Sequence, residues 1–344
     1  MTETELSPDF WPGVLSRLVD RDPLSVDESA NAMRAIMQGQ ATPAQVAGFL
    51  MALRTRGETV DELEGFARAA LEFAQPVKTP GPAVDTCGTG GDKAGTFNVS
   101  TLAAIAAAGA GALVAKHGNR AASSDCGSAD LLEELGVKID LGAEGVERCL
   151  EEASIGFMFA PVFHPAMKYA VGIRRELRVP TVFNFLGPLT NPARPEAQIV
   201  GVSDARMLPL VANALARRGT RATVFQGLDG LDELTVTMSS VVYDVAEHQV
   251  KKRTFDPDEI GFDQARAKDL KGGDVAENAA IAREILAGEK GPKRDMVVLN
   301  AGAALEVSGK VGSLKEGVEQ ASGSIDSGAA AKTLETWIEV SQKA

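Results

Sequence analysis

The sequence predicts an α/β protein. A small all-helical N-terminal domain precedes a larger α/β domain with a mostly parallel central sheet and flanking helices. Three observations carry this reading. Up to about residue 75 the chain shows helix-start signals and helical periodicity with no strand pattern. The segment Gln75-Pro76-Val77-Lys78-Thr79-Pro80-Gly81-Pro82 then interrupts any regular element. Beyond it, short apolar runs alternate with helix-length segments, as strand–helix–strand units do. The expected domains are therefore 1–75 and 76–344.

Each element has its own signal. Ser25 precedes Glu28 by three residues, and Thr59 precedes Glu62 likewise. In that spacing a hydroxyl accepts a free N–H of the first turn and a carboxylate reaches back to the cap. Thr42 is followed by Pro43 at the first helical position and Gln45 at the third. Val46, Phe49, Leu50 and Leu53 then recur at helical spacing. Beyond the linker, strands are expected at Ala83–Cys87, Leu113–Lys116, Val137–Ile139, Ile155–Phe159, Ile199–Val202 and Ala222–Phe225. Helices are expected at Ala129–Leu135 and Ala205–Arg218. Residues 235–255 read as antiparallel strands. Helices return at Val275–Leu286, Met296–Glu306 and Ala329–Val340.

With 344 residues, 44% hydrophobic and 24% charged, the chain can bury a large core without a disulfide or metal staple. Its net charge of −12 argues against nucleic acid or an anionic membrane as partner. If its substrates are anions, positive potential must come from a few Lys or Arg, from helix N-termini, or from a metal ion. Cys87, Cys126 and Cys149 are odd in number and lack metal spacing, so reduced thiols in a cytoplasmic protein are expected. The acidic start MTETELSPDFWPG lacks the apolar core of a secretory signal. The run Leu102–Ala115 is too short and too rich in Ala and Gly for a membrane span.

Chemistry concentrates in a few segments. Val84-Asp85-Thr86-Cys87-Gly88-Thr89-Gly90-Gly91-Asp92 runs from a strand into a Gly-rich loop ending in a carboxylate. Glycines let backbone N–H groups approach a phosphate without a Cβ in the way. The loop lacks the Gly-Lys-Ser/Thr of a nucleotide-triphosphate loop, and Lys93 stands where a dinucleotide fingerprint needs its third glycine. A tight strand-to-helix turn is the plainer alternative. Thr96-Phe97-Asn98-Val99-Ser100-Thr101 opens a helix-like run, so Asn98 reads either as an N-cap or as part of an anion site at a helix N-terminus. Lys116-His117-Gly118-Asn119-Arg120 ends an expected strand, where α/β sheets bind ligands; taken alone, a solvated charge cluster is the plainer reading. A second hydroxyl-rich helix start follows at Ser123-Ser124 and Ser128. Asp232-Glu233 closes a Gly-rich loop. Such pairs are usually solvated, but beside a diphosphate they would suit Mg²⁺, which prefers carboxylate and phosphate oxygens.

In this order, GTGGD, FNVST, KHGNR, SS with GSAD, HPAMK, FNFLGPLTNPA and DGLDE resemble the anthranilate phosphoribosyltransferase family over about residues 83–235. The resemblance implies a fold like that of nucleoside phosphorylases, with a later contribution to the helical domain from about 168–190. It implies a homodimer formed through the helical domain. It also implies transfer of the phosphoribosyl group of 5-phospho-α-D-ribose 1-diphosphate (PRPP) to anthranilate in tryptophan biosynthesis, giving N-(5-phosphoribosyl)anthranilate and diphosphate. Site residues follow from matched motifs. Gly88, Gly91, Asp92, Thr96, Asn98, Val99, Ser100 and Thr101 would hold PRPP. So would Lys116, His117, Gly118, Asn119, Arg120, Ala121, Ala122, Ser123 and Ser124, with Ser128. Ser100 would ligate one Mg²⁺, and Asp232 and Glu233 a second, up to two ions. Gly88, Asn119 and Arg174 would contact anthranilate, Arg174 through its carboxylate. His117 is the candidate to receive the amine proton, with a structural histidine as the alternative.

Tyr169, and Pro180 before Thr181-Val182-Phe183-Asn184, depart from the family's usual residues, outside the implied site. A pyrimidine nucleoside phosphorylase is the rival enzyme, and a nucleic-acid-binding relative the rival of another class. Asp232-Glu233 and Arg174 disfavour the first. The net charge disfavours the second.

Overall fold

The structure is a computed structural model that describes residues 7–121 and 125–344. The assignments at Ala122, Ser123 and Ser124 therefore lie outside the described residues. The chain divides into two compact units, Met1–Gln75 with His164–Thr190, and Pro76–Phe163 with Asn191–Ala344.

The first unit is helical: α1 (Phe10–Val19), α2 (Val26–Met37), α3 (Pro43–Arg56), α4 (Val60–Glu72) and the return helix Lys168–Leu177. Capping boxes start α2, α3 and α4 at Ser25, Thr42 and Thr59. Trp11, Phe49 and Phe66 stack edge to face through their centre. Gly65 lets α2 and α4 meet, since a Cβ there would collide with the Val26 carbonyl. Glu62 is fully buried, a costly position for a carboxylate unless it is paired and hydrogen-bonded. Here it accepts from Leu24 N (2.9 Å), Thr59 N (2.9 Å) and the Arg56 guanidinium, so one side chain ties two loops to α4.

His164 opens the return segment. Burial outweighs its Thr190 backbone contact and pushes the imidazole down to about 4, from 6.5. The unfolded chain therefore takes up the proton first. The stability contributed by the neutral ring is complete above the unfolded value and is lost as pH falls from 6.5 through about 4. The melting temperature is expected to drop more steeply over that window in the native protein than in His164→Gln, as calorimetry across the pH range would show.

The second unit is built on a seven-stranded sheet with strand order β3-β2-β1-β4-β5-β6-β7. Its strands are β1 (Val84–Gly88), β2 (Val114–Gly118), β3 (Ile155–Phe159), β4 (Ala197–Gly201), β5 (Arg221–Gly227), β6 (Ser240–Ala246) and β7 (Gln249–Phe255). β1 to β5 run parallel, and β6 and β7 are antiparallel. The first four strands are buried almost end to end, which is why they read as apolar runs rather than alternating ones.

The longer helices of this unit are α5 (Val99–Gly109), α6 (Ser128–Glu134), α7 (Ala143–Ala153), α8 (Leu208–Arg217), α9 (Val275–Leu286), α10 (Pro292–Ser308), α11 (Leu314–Asp326) and α12 (Ala329–Lys343). α5 is small-residue-rich and buried on nearly every side. It packs against β1, β2 and the helices α10, α11 and α12. None of the helices among the described residues is long and apolar enough to cross a membrane.

One expected strand fails, and one capping alternative is set aside. Val137–Ile139 is not a strand. The Val137 N–H closes the end of α6 on Leu132 O (2.9 Å), and the Lys138 N–H goes to Ser341 Oγ (3.1 Å). These donors are used locally and by α12, and the apolar side chains simply bury. Asn98 precedes α5 but does not cap it with its side chain. Its Nδ2 donates to Cys126 O (3.0 Å) instead.

Candidate active site

The sheet supplies the site before any side chain does. Connections leave β1 toward β2 and β3 on one side, while β4 and β5 lie on the other. The C-terminal ends of β1 and β4 thus flank the point where strand order reverses, the crevice in which open α/β sheets bind ligands. Both strands end in glycine, and Gly88 pairs in register with Gly201. The reason is the loop above them. A Cβ on Gly88 would stand 2.5 Å from Asp232 Oδ2, and one on Gly201 would overlap the Asp232 carbonyl oxygen. Two missing side chains let the acidic loop rest on the strand ends. Gly201→Ala should displace Asp232 and cut turnover on the order of a hundredfold with the helical circular dichroism unchanged, because small misplacements of catalytic groups are costly.

After β1 the chain turns through Gly90 and Gly91, both at positive φ (65° and 86°). Consecutive residues of this kind can turn backbone N–H groups into a shared concavity suited to anions. The Gly90 N–H is already engaged, donating to Asp232 Oδ2 at 2.7 Å. Asp92 accepts from Ala94 N at 3.1 Å and faces Asp232 electrostatically.

Asp232 and Glu233 are each only 9% exposed. Burial, then the Asp92 charge, pushes the Asp232 carboxyl up to about 7. Burial, then Asp232, drives Glu233 well above the usual carboxylate range. Glu233 Oε1 accepts the Ser100 N–H at the start of α5 (3.2 Å). Three acidic side chains thus crowd one end of the sheet, an arrangement that a hard divalent cation would relieve. Among the described residues no three His, Cys, Asp or Glu side chains close around one point as a complete metal centre. The donor set fits an ion that brings further oxygens with it.

Lys116, at the end of β2, is 1% exposed. Its Nζ donates to Thr86 O and to Ser100 Oγ (3.3 Å), and Thr86 Oγ1 donates to Ser100 O (3.0 Å). Burial lowers its pKa, opposed by the charge of Asp85. This places one cation, one hydroxyl and one helix N-terminus together beside Glu233. His117 is buried, with its N–H on Asp85 Oδ1 (3.2 Å). At the start of α5, Val99 and Thr101 are buried, and Thr101 Oγ1 and Asn98 Oδ1 are enclosed polar atoms without a hydrogen bond. Thr96 is held by a single antiparallel bridge to Lys271. Gly118 is required by the Phe157 ring, which a Cβ would approach to 2.8 Å.

The remaining assignments have contacts of their own. Arg120 is pinned to Asp130 and Glu133 (both 2.8 Å) and lies over the Phe159 ring at 5.6 Å. Asn119 Oδ1 accepts from Arg120 N, Ala121 N donates to Asp130 Oδ2, and Ser128 begins α6. Arg174 belongs to the helical unit, on the return helix. It is half-buried, stacks over Phe183 at 5.3 Å, and has no carboxylate partner among the described residues. Its pKa is lowered by burial alone.

Residues 80–331 match the α/β domain of the glycosyl transferase family, and residues 12–74 match that family's helical bundle domain. The anthranilate phosphoribosyltransferase of an Arthrobacter species is 52% identical over 335 residues, spanning 95% of each chain. The chain belongs to the anthranilate phosphoribosyltransferase family. Among solved members, the Thermus thermophilus enzyme superposes with a TM-score of 0.91 at 45% identity, covering 96% of this chain and 99% of that one. The Saccharomyces cerevisiae enzyme, solved in complex with PRPP and Mg, gives 0.90 at 29% identity, covering 98% and 99%.

Within this anthranilate phosphoribosyltransferase fold, three residues escaped the sequence reading. Asp85, fully buried, accepts from both His117 N and Asn191 Nδ2 (2.8 Å). Asn191 also donates to Ala115 O (2.8 Å), so the TNPA segment locks β1 to β2 beneath Lys116 and His117. Gly201 is the third. A carboxylate inside an otherwise apolar strand was the available signal for Asp85. Asn191 and Gly201 carry none, because their reasons lie more than thirty residues away in sequence.

Proposed function

We propose that this site transfers the phosphoribosyl group of PRPP to the amine of anthranilate, giving N-(5-phosphoribosyl)anthranilate and diphosphate in tryptophan biosynthesis. The observation that carries the reading is the convergence at one sheet end of Gly88–Asp92, Ser100 with Lys116, and the buried acids Asp232 and Glu233. Breaking the bond from the anomeric carbon to diphosphate leaves positive charge on the ribose and negative charge on the leaving group. Asp232 and Glu233, and Ser100, would hold Mg²⁺, which would supply positive charge to that diphosphate. Lys116 and the N-terminal end of the α5 dipole add fixed positive potential. They do so within a chain of net charge −12.

The anthranilate amine is neutral near pH 7 and needs positioning more than deprotonation. Arg174 receives its carboxylate through a two-point contact. Gly88 and Asn119 line its binding site, and His117 takes the proton the amine loses. Thr96, Asn98, Val99, Thr101, the segment 116–124 and Ser128 hold PRPP, which requires Arg120 to leave its acidic partners. One or two Mg²⁺ ions serve each site. The chain works as a cytoplasmic homodimer joined through its helical unit.

Mixing the protein with anthranilate, PRPP and Mg²⁺ should abolish anthranilate's intrinsic fluorescence in step with diphosphate release. Thymidine with phosphate should give no turnover. Phosphorolysis of thymidine without loss of anthranilate fluorescence would reverse the assignment.

A further inference from the structure

Asn300 lies on α10, completely buried between Leu299 and Ala301. A primary amide there carries a large desolvation cost unless every polar atom is bonded. Its bonds are specific. Oδ1 accepts from Leu234 N (3.1 Å), and Nδ2 donates to Leu234 O (2.8 Å) and to Met296 O (2.9 Å). One side chain thus grips both backbone groups of the residue that follows Glu233, outside any strand.

The other flank is fastened by Asp229. Its Oδ1 accepts from Leu231 N (3.2 Å), and its Oδ2 accepts from Thr235 Oγ1 (2.8 Å) and from Thr237 Oγ1. Thr235 Oγ1 in turn accepts the Thr237 N–H (3.0 Å). The acid pair therefore has little freedom despite lying in a loop. Packing alone would be served by leucine or alanine at 300, as at the neighbouring positions.

We propose that Asn300 is a positioning residue for the reaction, holding the Leu234 peptide so that Asp232 and Glu233 present their carboxylates to the metal–diphosphate. The inference rests on the assignment of that pair as Mg²⁺ ligands. A purely structural role would lower thermal stability and leave metal affinity alone.

The test compares native protein, Asn300→Leu and the double variant Asp232→Asn/Glu233→Gln. Binding of Mn²⁺ in the presence of inorganic diphosphate is followed by the free-ion electron paramagnetic resonance signal, and Mg²⁺ half-saturation is measured in turnover. Asn300→Leu is expected to weaken Mn²⁺ binding and raise Mg²⁺ half-saturation by roughly 10–100-fold, as loss of a residue that orients metal ligands does. The anthranilate KM should stay within about twofold, since uniform effects on unrelated contacts are not expected. If Asn300→Leu does not fold, Asn300→Ala, which leaves space for water at Leu234, carries the same expectation. Native Mn²⁺ affinity in a folded Asn300 variant, alongside lost affinity in the double variant, overturns the positioning role alone. Native affinity in both overturns the metal assignment, and the positioning role with it.

Discussion

Asp232→Asn/Glu233→Gln is expected to lower Mg²⁺-dependent turnover by about a thousandfold or more, the scale of removing a main source of charge stabilisation from a leaving group. The amides keep the size of the acids and can still accept the Gly90 and Ser100 N–H groups, so the loop should persist. Stability should move the other way. The Asp232 carboxyl is raised from 3.8 to about 7, so the stability due to its neutral form is complete below the unfolded value and is lost as pH rises through about 7. At pH 8 without metal, the native protein carries an ionised Asp232 buried beside Glu233 and facing the Asp92 charge. The double variant does not, and should melt higher. Steady-state rates over a Mg²⁺ series, paired with metal-free melting at pH 6 and pH 8, check both halves. Undiminished turnover at ordinary Mg²⁺ would contradict the metal assignment.

Arg174→Ala is expected to raise the anthranilate KM by roughly 10–100-fold, the range of a lost charge-assisted contact. The PRPP KM should change by no more than about twofold, because the contacts proposed for that substrate are made by other residues. The guanidinium is half-buried, stacked on Phe183 and unneutralised by any acid among the described residues. Burial already disfavours its charge, so a bound carboxylate gains more from it than from an exposed arginine. Arg174→Lys should restore little, since an ammonium lacks the planar two-point geometry. Equal rises in both Michaelis constants would remove Arg174 from the anthranilate contact.

Local chemistry was legible in the sequence, and long-range chemistry was not. The caps at Ser25, Thr42 and Thr59 are satisfied within three residues, and all three form as read. Ile155–Phe159 matches its strand end to end because a strand buried on both faces reads as an apolar run, and Val275–Leu286 matches its helix because Asp274 and Glu277 cap it locally. Val137–Ile139 shows the limit. Its apolar run is real, but its backbone donors are claimed by Leu132 and by Ser341, some two hundred residues away.

The site follows the same rule. The Gly-rich loop and the acid pair were visible as composition. That Asp232 lies on Gly88 and Gly201, or that Asn300 holds Leu234, depends on helix and strand packing that no spacing encodes. Arg120 is legible as a cation, but its pairing with Asp130 and Glu133 belongs to the fold.

The central claim is that Ser100, and Asp232 with Glu233, bring divalent cations to the diphosphate of PRPP at the ends of β1, β2 and β4. A crystal grown with PRPP and Mn²⁺, with anomalous diffraction collected at the manganese edge, tests it directly. The account predicts an anomalous peak within about 2.5 Å of an oxygen of this trio, as close as hard cations hold their ligands. A fully occupied ion with no oxygen of the three in its coordination shell would contradict it.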